Sequence, residues 1–294
     1  MASLKEVKNR ISSVKSTQQI TKAMKMVAAS KLRRAQDRII QMRPYAEKLN
    51  NILQNVSSGT DAVSSEFNVE RAVNSVLFIT ITSDKGLAGA FNSNVFRATN
   101  YLLQNRYKEY VDRNQVFILP IGKKSFEYYT KRKANLIPDY YNLFSGLNFD
   151  NAREIAEFAM NGFISGRFDK VVLVYNEFKN VATQILRHEQ FLPVEKKETA
   201  VEVKSSNIDY IFEPSKEYII EELIPTSLKI QFYKALLESN ASEHGARMTA
   251  MDKATENAGE LLKELRLTYN RTRQAAITKE ILEIVGGAEA LASS

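Results

Sequence analysis

The chain has 294 residues, 44% apolar and 26% charged, with 41 Lys/Arg against 34 Asp/Glu, which is enough for a globular domain with further structure beside it. It contains no cysteine, which excludes disulfides, thiolate metal sites and thiol catalysis and fits a reducing compartment. No apolar run approaches the roughly 18 residues of a membrane span, and the charged N-terminus lacks the apolar core of a secretory signal.

The first predicted element is a long helix over residues 1–58. Ser3 is its N-cap candidate, with Glu6 three residues on as in a capping box. Leu4, Val7, Ile11 and Val14 recur in steps of three and four, a polar break follows at residues 16–19, and Leu32, Ala35, Ile39, Met42, Ala46, Leu49, Leu53 and Val56 resume the seam. Pro44 is expected to bend this helix without ending it. Residues 1–50 hold twelve Lys/Arg and three Asp/Glu, a net of +9 in a chain whose total is +7. Such a block calls for an acidic partner: nucleic acid, an anionic membrane or an acidic protein surface. Lys22, Lys25, Lys31, Arg33, Arg34 and Arg38 sit away from the seam, where a solvated coiled-coil face is the plain reading. Met24 and Val27 read either as seam residues or as contacts.

From residue 74 the pattern alternates between strand and helix. Residues 76–82 (VLFITIT), 116–121 and 170–175 (KVVLVY) read as buried strands, and residues 92–107, 123–132 and 151–166 as helices. Residues 182–189 alternate enough for an antiparallel or edge strand. This order predicts a Rossmann-like α/β domain over residues 74–193, with a mostly parallel sheet between helices. The loop SDKGLAGAFN (83–92) invites a phosphate-binding reading but lacks both G-x-G-x-x-G and G-x-x-x-x-G-K-[ST]. His188 opens HEQFL, in which Leu192 stands where a zinc motif needs its second histidine. His244 reads as a polar surface residue. No nucleophile, base and oxyanion-donor set assembles, so neither catalysis nor a cofactor is expected.

Residues 194–225 read as an exposed connector and foot, containing DYIFEP (209–214) and a short helix before Pro225. The last helix is expected over residues 226–294. Roughly sixty helical residues would form a rod on the order of 90 Å long, which no small core can bury. Its expected seam runs through Ala258, Leu261, Leu265, Thr268, Thr272 and Ala275, extended upstream by Ala246, Ala250 and Ala254. Ile277, Ile281, Leu282, Ile284 and Val285 form an apolar tip, after which Gly286-Gly287 should loosen the helix. Heptad helices at both ends of a folded segment predict an antiparallel two-helix coiled coil formed by the chain with itself.

Two other classes stay open on these features alone. A basic coiled-coil nucleic-acid-binding protein would want aromatics interleaved with its basic residues, and a small-molecule enzyme on the α/β domain would want a phosphate loop. The stretches RISSVKSTQQITKAMKMVAASKLRRAQ (10–36), SDKGLAGAFN (83–92), EHGARMTAMDKATENAGELL (243–262) and YNRTRQAAITKEILEIVGGAEA (269–290) together resemble the gamma subunit of F-type ATP synthase, bacterial type. The resemblance implies a non-catalytic rotor shaft without cofactor. It would couple proton-driven rotation of a membrane ring to the cycling of catalytic beta subunits. Its partners would be alpha and beta subunits in an alpha3beta3 hexamer, the epsilon subunit and the c-subunit ring, with no nucleic acid. Membrane contact would run through the ring, at the cytoplasmic face of a bacterial inner membrane. Met24, Lys25, Lys31 and Arg34 would lie under acidic loops of the catalytic subunits, and Asp84 and Lys85 in a loop facing a neighbouring subunit. Arg247, Gln274, Thr278 and Glu280 would hydrogen-bond catalytic-subunit loops, and Tyr210 and Glu213 would belong to the foot on the ring and epsilon. Ala88 stands where the family often has cysteine.

Overall fold

A computed structural model describes residues 3–57, 66–69, 71–194 and 216–292. In chain order the elements are α1 (Leu4–Ser57), β1 (Val76–Ile81), α2 (Phe91–Asn105), α3 (Lys108–Asp112), β2 (Val116–Ile121), α4 (Lys123–Thr130), α5 (Phe149–Ile164), β3 (Lys170–Phe178), β4 (Gln184–Leu192) and α6 (Lys216–Ala292). This is the expected mixed α/β chain with a long helix at each end. Ser3 caps α1, its Oγ accepting from the Glu6 amide at 3.2 Å. The last helix departs from expectation at both ends. It begins at Lys216, not at 226, and carries Pro225 within it. A proline removes one helical hydrogen bond, but the buried Leu228, Ile230 and Phe232 just beyond it hold the helix by packing. Gly286 and Gly287 also stay helical, since glycine costs a helix only about 1 kcal/mol relative to alanine. Tyr210 and Glu213 lie outside the described residues.

The chain divides into two compact units, Ala29–Arg247 on the one hand and Met1–Ala28 with Met248–Ser294 on the other. The first holds a four-stranded sheet in the order β2-β1-β3-β4. β1 pairs parallel with both β2 and β3, and β4 closes the edge antiparallel to β3. Strand alternation sends Leu77, Ile79 and Ile81 to one face, where they pack with Phe163 of α5 and with Leu228, Phe232 and Leu236 of α6. Val76 and Phe78 go to the other, against Val95 and Leu102 of α2 and Tyr129 of α4. Covered on both faces, β1 is buried at all six positions, which is why it reads as an unbroken apolar run. Backbones crowd where β1 and β2 end. Gly122 has φ of 96°, and a Cβ there would lie 2.1 Å from the Thr82 carbonyl oxygen, so only glycine fits.

In the smaller unit α1 and α6 pair antiparallel. Thr21 and Thr255 share a hydroxyl hydrogen bond of 2.8 Å, Lys25 forms an ion pair with Asp252 at 2.6 Å, and Gln18 reaches the Thr255 carbonyl at 3.4 Å. A Cβ on Gly259 would come within 3.1 Å of the Gln18 amide nitrogen, so the missing side chain makes room for it. The supposed polar break is therefore no break. Gln18 and Thr21 occupy seam positions, and along α1 a series of buried or half-buried residues runs in steps of three and four from Leu4 to Leu49. On α6 the seam runs Met251, Thr255, Ala258, Leu262, Leu265, Tyr269, Thr272 and Ala276. That corrects the expected seam by one residue at three places: Leu261 is 41% exposed and Leu262 only 6%, while Thr268 and Ala275 are exposed. Val27 also faces outward.

Candidate functional site

The loop between β1 and α2 leaves the C-terminal end of the sheet beside the point where the strand order reverses, between β1 and β3. Open α/β sheets bind ligands in that crevice. Here the chain's own groups fill it. Ser83 donates its amide to Asn92 Oδ1 at 3.0 Å and its hydroxyl to the Lys85 carbonyl at 2.7 Å. Asp84 accepts the Lys123 amide at 3.0 Å, capping the start of α4, and Asn176 at the far end of β3 donates to the Phe91 carbonyl. Ala88, Phe91 and Ala246 of α6 bury one another. Arg247 completes the closure: its Nη2 donates to the carbonyls of Lys85 at 2.9 Å and Gly86 at 3.2 Å, and its Nη1 pairs with Glu243 one turn back. The loop is thus a fastened turn, not a phosphate cradle. It presents Leu87, 67% exposed and held at φ of 63°, a left-handed conformation unusual for a branched apolar residue.

Beside the clasp lies His244. It is 9% exposed, so the expectation of a surface histidine is corrected. Ala241, Ser242, Gly245 and Ala246 surround it in sequence and are buried or closely approached. Small residues on every side of a helix allow close packing all round, and this run of small residues is the sequence signal of the histidine's burial. Burial, then the charges of Arg247 and Lys31, push the His244 imidazole down to about 4. Burial drives the Glu243 carboxyl up, against the opposing pull of Arg247. For His244 the folded state has the lower affinity for protons, so its contribution to stability is lost as pH falls from the unfolded value near 6.5 through the folded one. Wild type should lose up to about 3 kcal/mol more than His244→Gln between pH 7 and pH 4. Glu243 works the other way and is common to both chains, so urea unfolding of the pair at the two pH values isolates the histidine.

The remaining residues singled out from the sequence divide between the two units. Lys31 and Arg34 lie exposed on α1 in the same unit as Asp84, Lys85 and Arg247. Met24, Lys25, Gln274, Thr278 and Glu280 belong to the smaller unit. Met24 is half-buried, Lys25 is engaged with Asp252, and the last three are exposed on α6. Ile277, Ile281, Leu282, Ile284 and Val285 are exposed by 46% to 71%. His188 is exposed on β4, and Leu192 is fully buried. No helix among the described residues is long and apolar enough to cross a membrane.

A sequence profile described as ATP synthase matches residues 3–291. The chain is 61% identical over 293 residues to the ATP synthase gamma chain of Cytophaga hutchinsonii, covering 99% of each. The chain belongs to the ATP synthase gamma family. Two solved structures of mitochondrial ATP synthases share the fold. A chain from the central stalk and c-ring of Tetrahymena thermophila is 28% identical, with a TM-score of 0.55 over 80% of this chain and 99% of that one. A chain from the Euglena gracilis assembly of OSCP, F1 and c-ring is 21% identical, with a TM-score of 0.67 over 98% and 94%. Membership of the gamma family removes the readings as a nucleic-acid-binding coiled coil and as a free-standing α/β enzyme. It makes this an ATP synthase central-stalk subunit.

Proposed function

We propose that this gamma chain is the shaft through which proton-driven rotation of a membrane ring cycles the catalytic sites of an ATP synthase, and that it carries out no chemistry itself. The observation behind this reading is the smaller unit. Its heptad seam is pinned by polar contacts at Gln18, Thr21 and Lys25, which fix register and resist slip. Beyond the seam, α6 runs on to five exposed apolar residues with no cover among the described residues. A locked helix pair transmits torque, and an apolar tip suits an apolar bearing. An asymmetric shaft changes the open and closed populations of surrounding catalytic sites only through differential contact energy.

In this reading alpha and beta subunits form the sleeve. Lys31 and Arg34, with Met24 and Lys25, face acidic loops of the catalytic subunits. Asp84 and Lys85 set the loop that presents Leu87 to a neighbour, and Gln274, Thr278 and Glu280 hydrogen-bond the sleeve. Arg247 spends its Nη1 and Nη2 donors inside the chain, so its contact with the sleeve would use Nε or act through the loop. Tyr210 and Glu213 would attach to the c-ring and epsilon subunit, holding the protein at the cytoplasmic face of a bacterial inner membrane without crossing it. Affinity purification of the tagged chain from native membranes should recover alpha, beta, epsilon and c subunits, and the purified chain alone should hydrolyse no ATP. Recovery of nucleic acid without those subunits, or turnover that co-elutes with this polypeptide alone, refutes the reading.

A further inference from the structure

The basic residues of α1 do more than coat a solvated face. Lys31, Arg34 and Arg38, spaced three and four apart on one side of α1, line a recess of about 390 Å³ together with His244 and Asn240 of α6 and the segment 144–148. No carboxylate lies in its wall. Neither Lys31 nor Arg34 has an ion-pair partner among the described residues, whereas Lys25 on the same helix is paired. Arg38 makes one long contact, Nη1 to the Leu147 carbonyl at 3.4 Å. His244 is more than nine-tenths buried, and its Nδ1 has no hydrogen-bond partner among the described residues. An orphaned buried polar atom in a native fold wants an explanation. Asn148, the N-cap of the 16-residue helix α5, also lines the recess, bringing the positive end of a helix dipole to its rim.

We propose that this recess is a binding site for a free phosphate-bearing anion. Three cations of α1, a buried histidine of α6 and the N-terminus of α5 line it from three separate segments. A tetrahedral anion with several oxygens can accept from such a set at once, where a single carboxylate could serve only part of it. The converging walls favour a compact anion over a flat lipid surface. Lys31 and Arg34 are also the residues given above to acidic loops of the sleeve, so an anion here would compete with that contact. The test uses the chain alone, which keeps the two ideas separable.

The charged and titratable groups around His244 are Lys31, Arg34 and Arg38 from α1 and Glu243 and Arg247 from α6; the segment 144–148 supplies none. A dianion beside the imidazole favours its protonated form. The chain has only two histidines, so ring resonances in the full-length protein report on each, with His188 as internal reference. Inorganic phosphate titrated at constant ionic strength against chloride should shift His244 saturably and leave His188 in place. The His244 titration midpoint should rise from its starting value of about 4. Lys31→Gln and Arg34→Gln should each weaken binding about tenfold, with Lys31→Arg retaining it and all three variants melting as wild type. Pyrophosphate should compete. A His244 response equal to that of His188, unchanged affinity in both glutamine variants, or capture by phosphatidylglycerol vesicles or a polyglutamate peptide without any response to phosphate would each overturn the assignment.

Discussion

Replacing Arg247 with alanine should destabilise the larger unit by about 3–5 kcal/mol and release the loop between β1 and α2. The arginine and its partner Glu243 are each about nine-tenths buried, with side-chain exposures of 11% and 10%. Removing the cation leaves a buried carboxylate without its ion-pair partner, which costs far more than an exposed ion pair is worth. Two loop carbonyls, those of Lys85 and Gly86, lose their donor at the same stroke. Because burial already pushes the Glu243 carboxyl up, the orphan takes up a proton as pH falls, and the defect should shrink toward acid. Arg247→Lys should recover only part of the loss, since a lysine cannot hold three acceptors in a planar fork. Adding Glu243→Gln to Arg247→Ala should restore stability but not the loop. Urea unfolding gives the first readout and amide exchange over residues 84–89 the second. Wild-type stability and wild-type protection of the loop in Arg247→Ala would refute the clasp.

How far the sequence discloses all this depends on how local the cause is. β1, β2 and β3 are legible because strands covered on both faces leave unbroken apolar runs, and β4 because an edge strand keeps some alternation. The start of α1 is legible because Ser3 and Glu6 act within one turn. What is missed needs a partner distant in sequence. Leu261 and Leu262 are equally apolar, and steps of three and four both suit a heptad, so only the helix across the seam decides which is buried. The polar residues 16–19 look like an interruption until Gln18 reaches across to Thr255. Lys25 reads as a free surface cation until Asp252 stands 2.6 Å away. Arg247 stands out by resemblance, yet its acceptors Lys85 and Gly86 lie some 160 residues upstream and carry no marking as such. His244 is buried by packing that no single window contains. A further misreading is energetic: Pro225 and Gly286-Gly287 weaken a helix by amounts that packing or length can absorb, and they look like stops only when taken alone.

The pairing of the two terminal helices can be locked covalently, and here the largest functional effect is expected. Moving outward by heptad steps from Thr21–Thr255, the register sets Val14 opposite Leu262, Ile11 opposite Leu265 and Val7 opposite Tyr269, in agreement with the buried and half-buried positions on both helices. The chain has no cysteine, so an introduced pair reports without background. Ile11→Cys with Leu265→Cys should bring the Cα atoms into the roughly 4.4–6.8 Å range of a disulfide and close on mild oxidation. Ile11→Cys with Leu261→Cys should not, because Leu261 faces outward. In the assembled enzyme the Ile11–Leu265 bond should leave ATP turnover largely intact, since both strands of a locked shaft move together. A bond from the exposed Gln274→Cys to a cysteine in a surrounding catalytic subunit should instead abolish multi-site turnover, and reductant should restore it. Turnover before and after oxidation, with cross-link yield read from a gel, separates the cases. A high-yield bond between shaft and sleeve that left hydrolysis and proton pumping at full rate would show that this helix pair does not have to turn as one body against the sleeve for the enzyme to work.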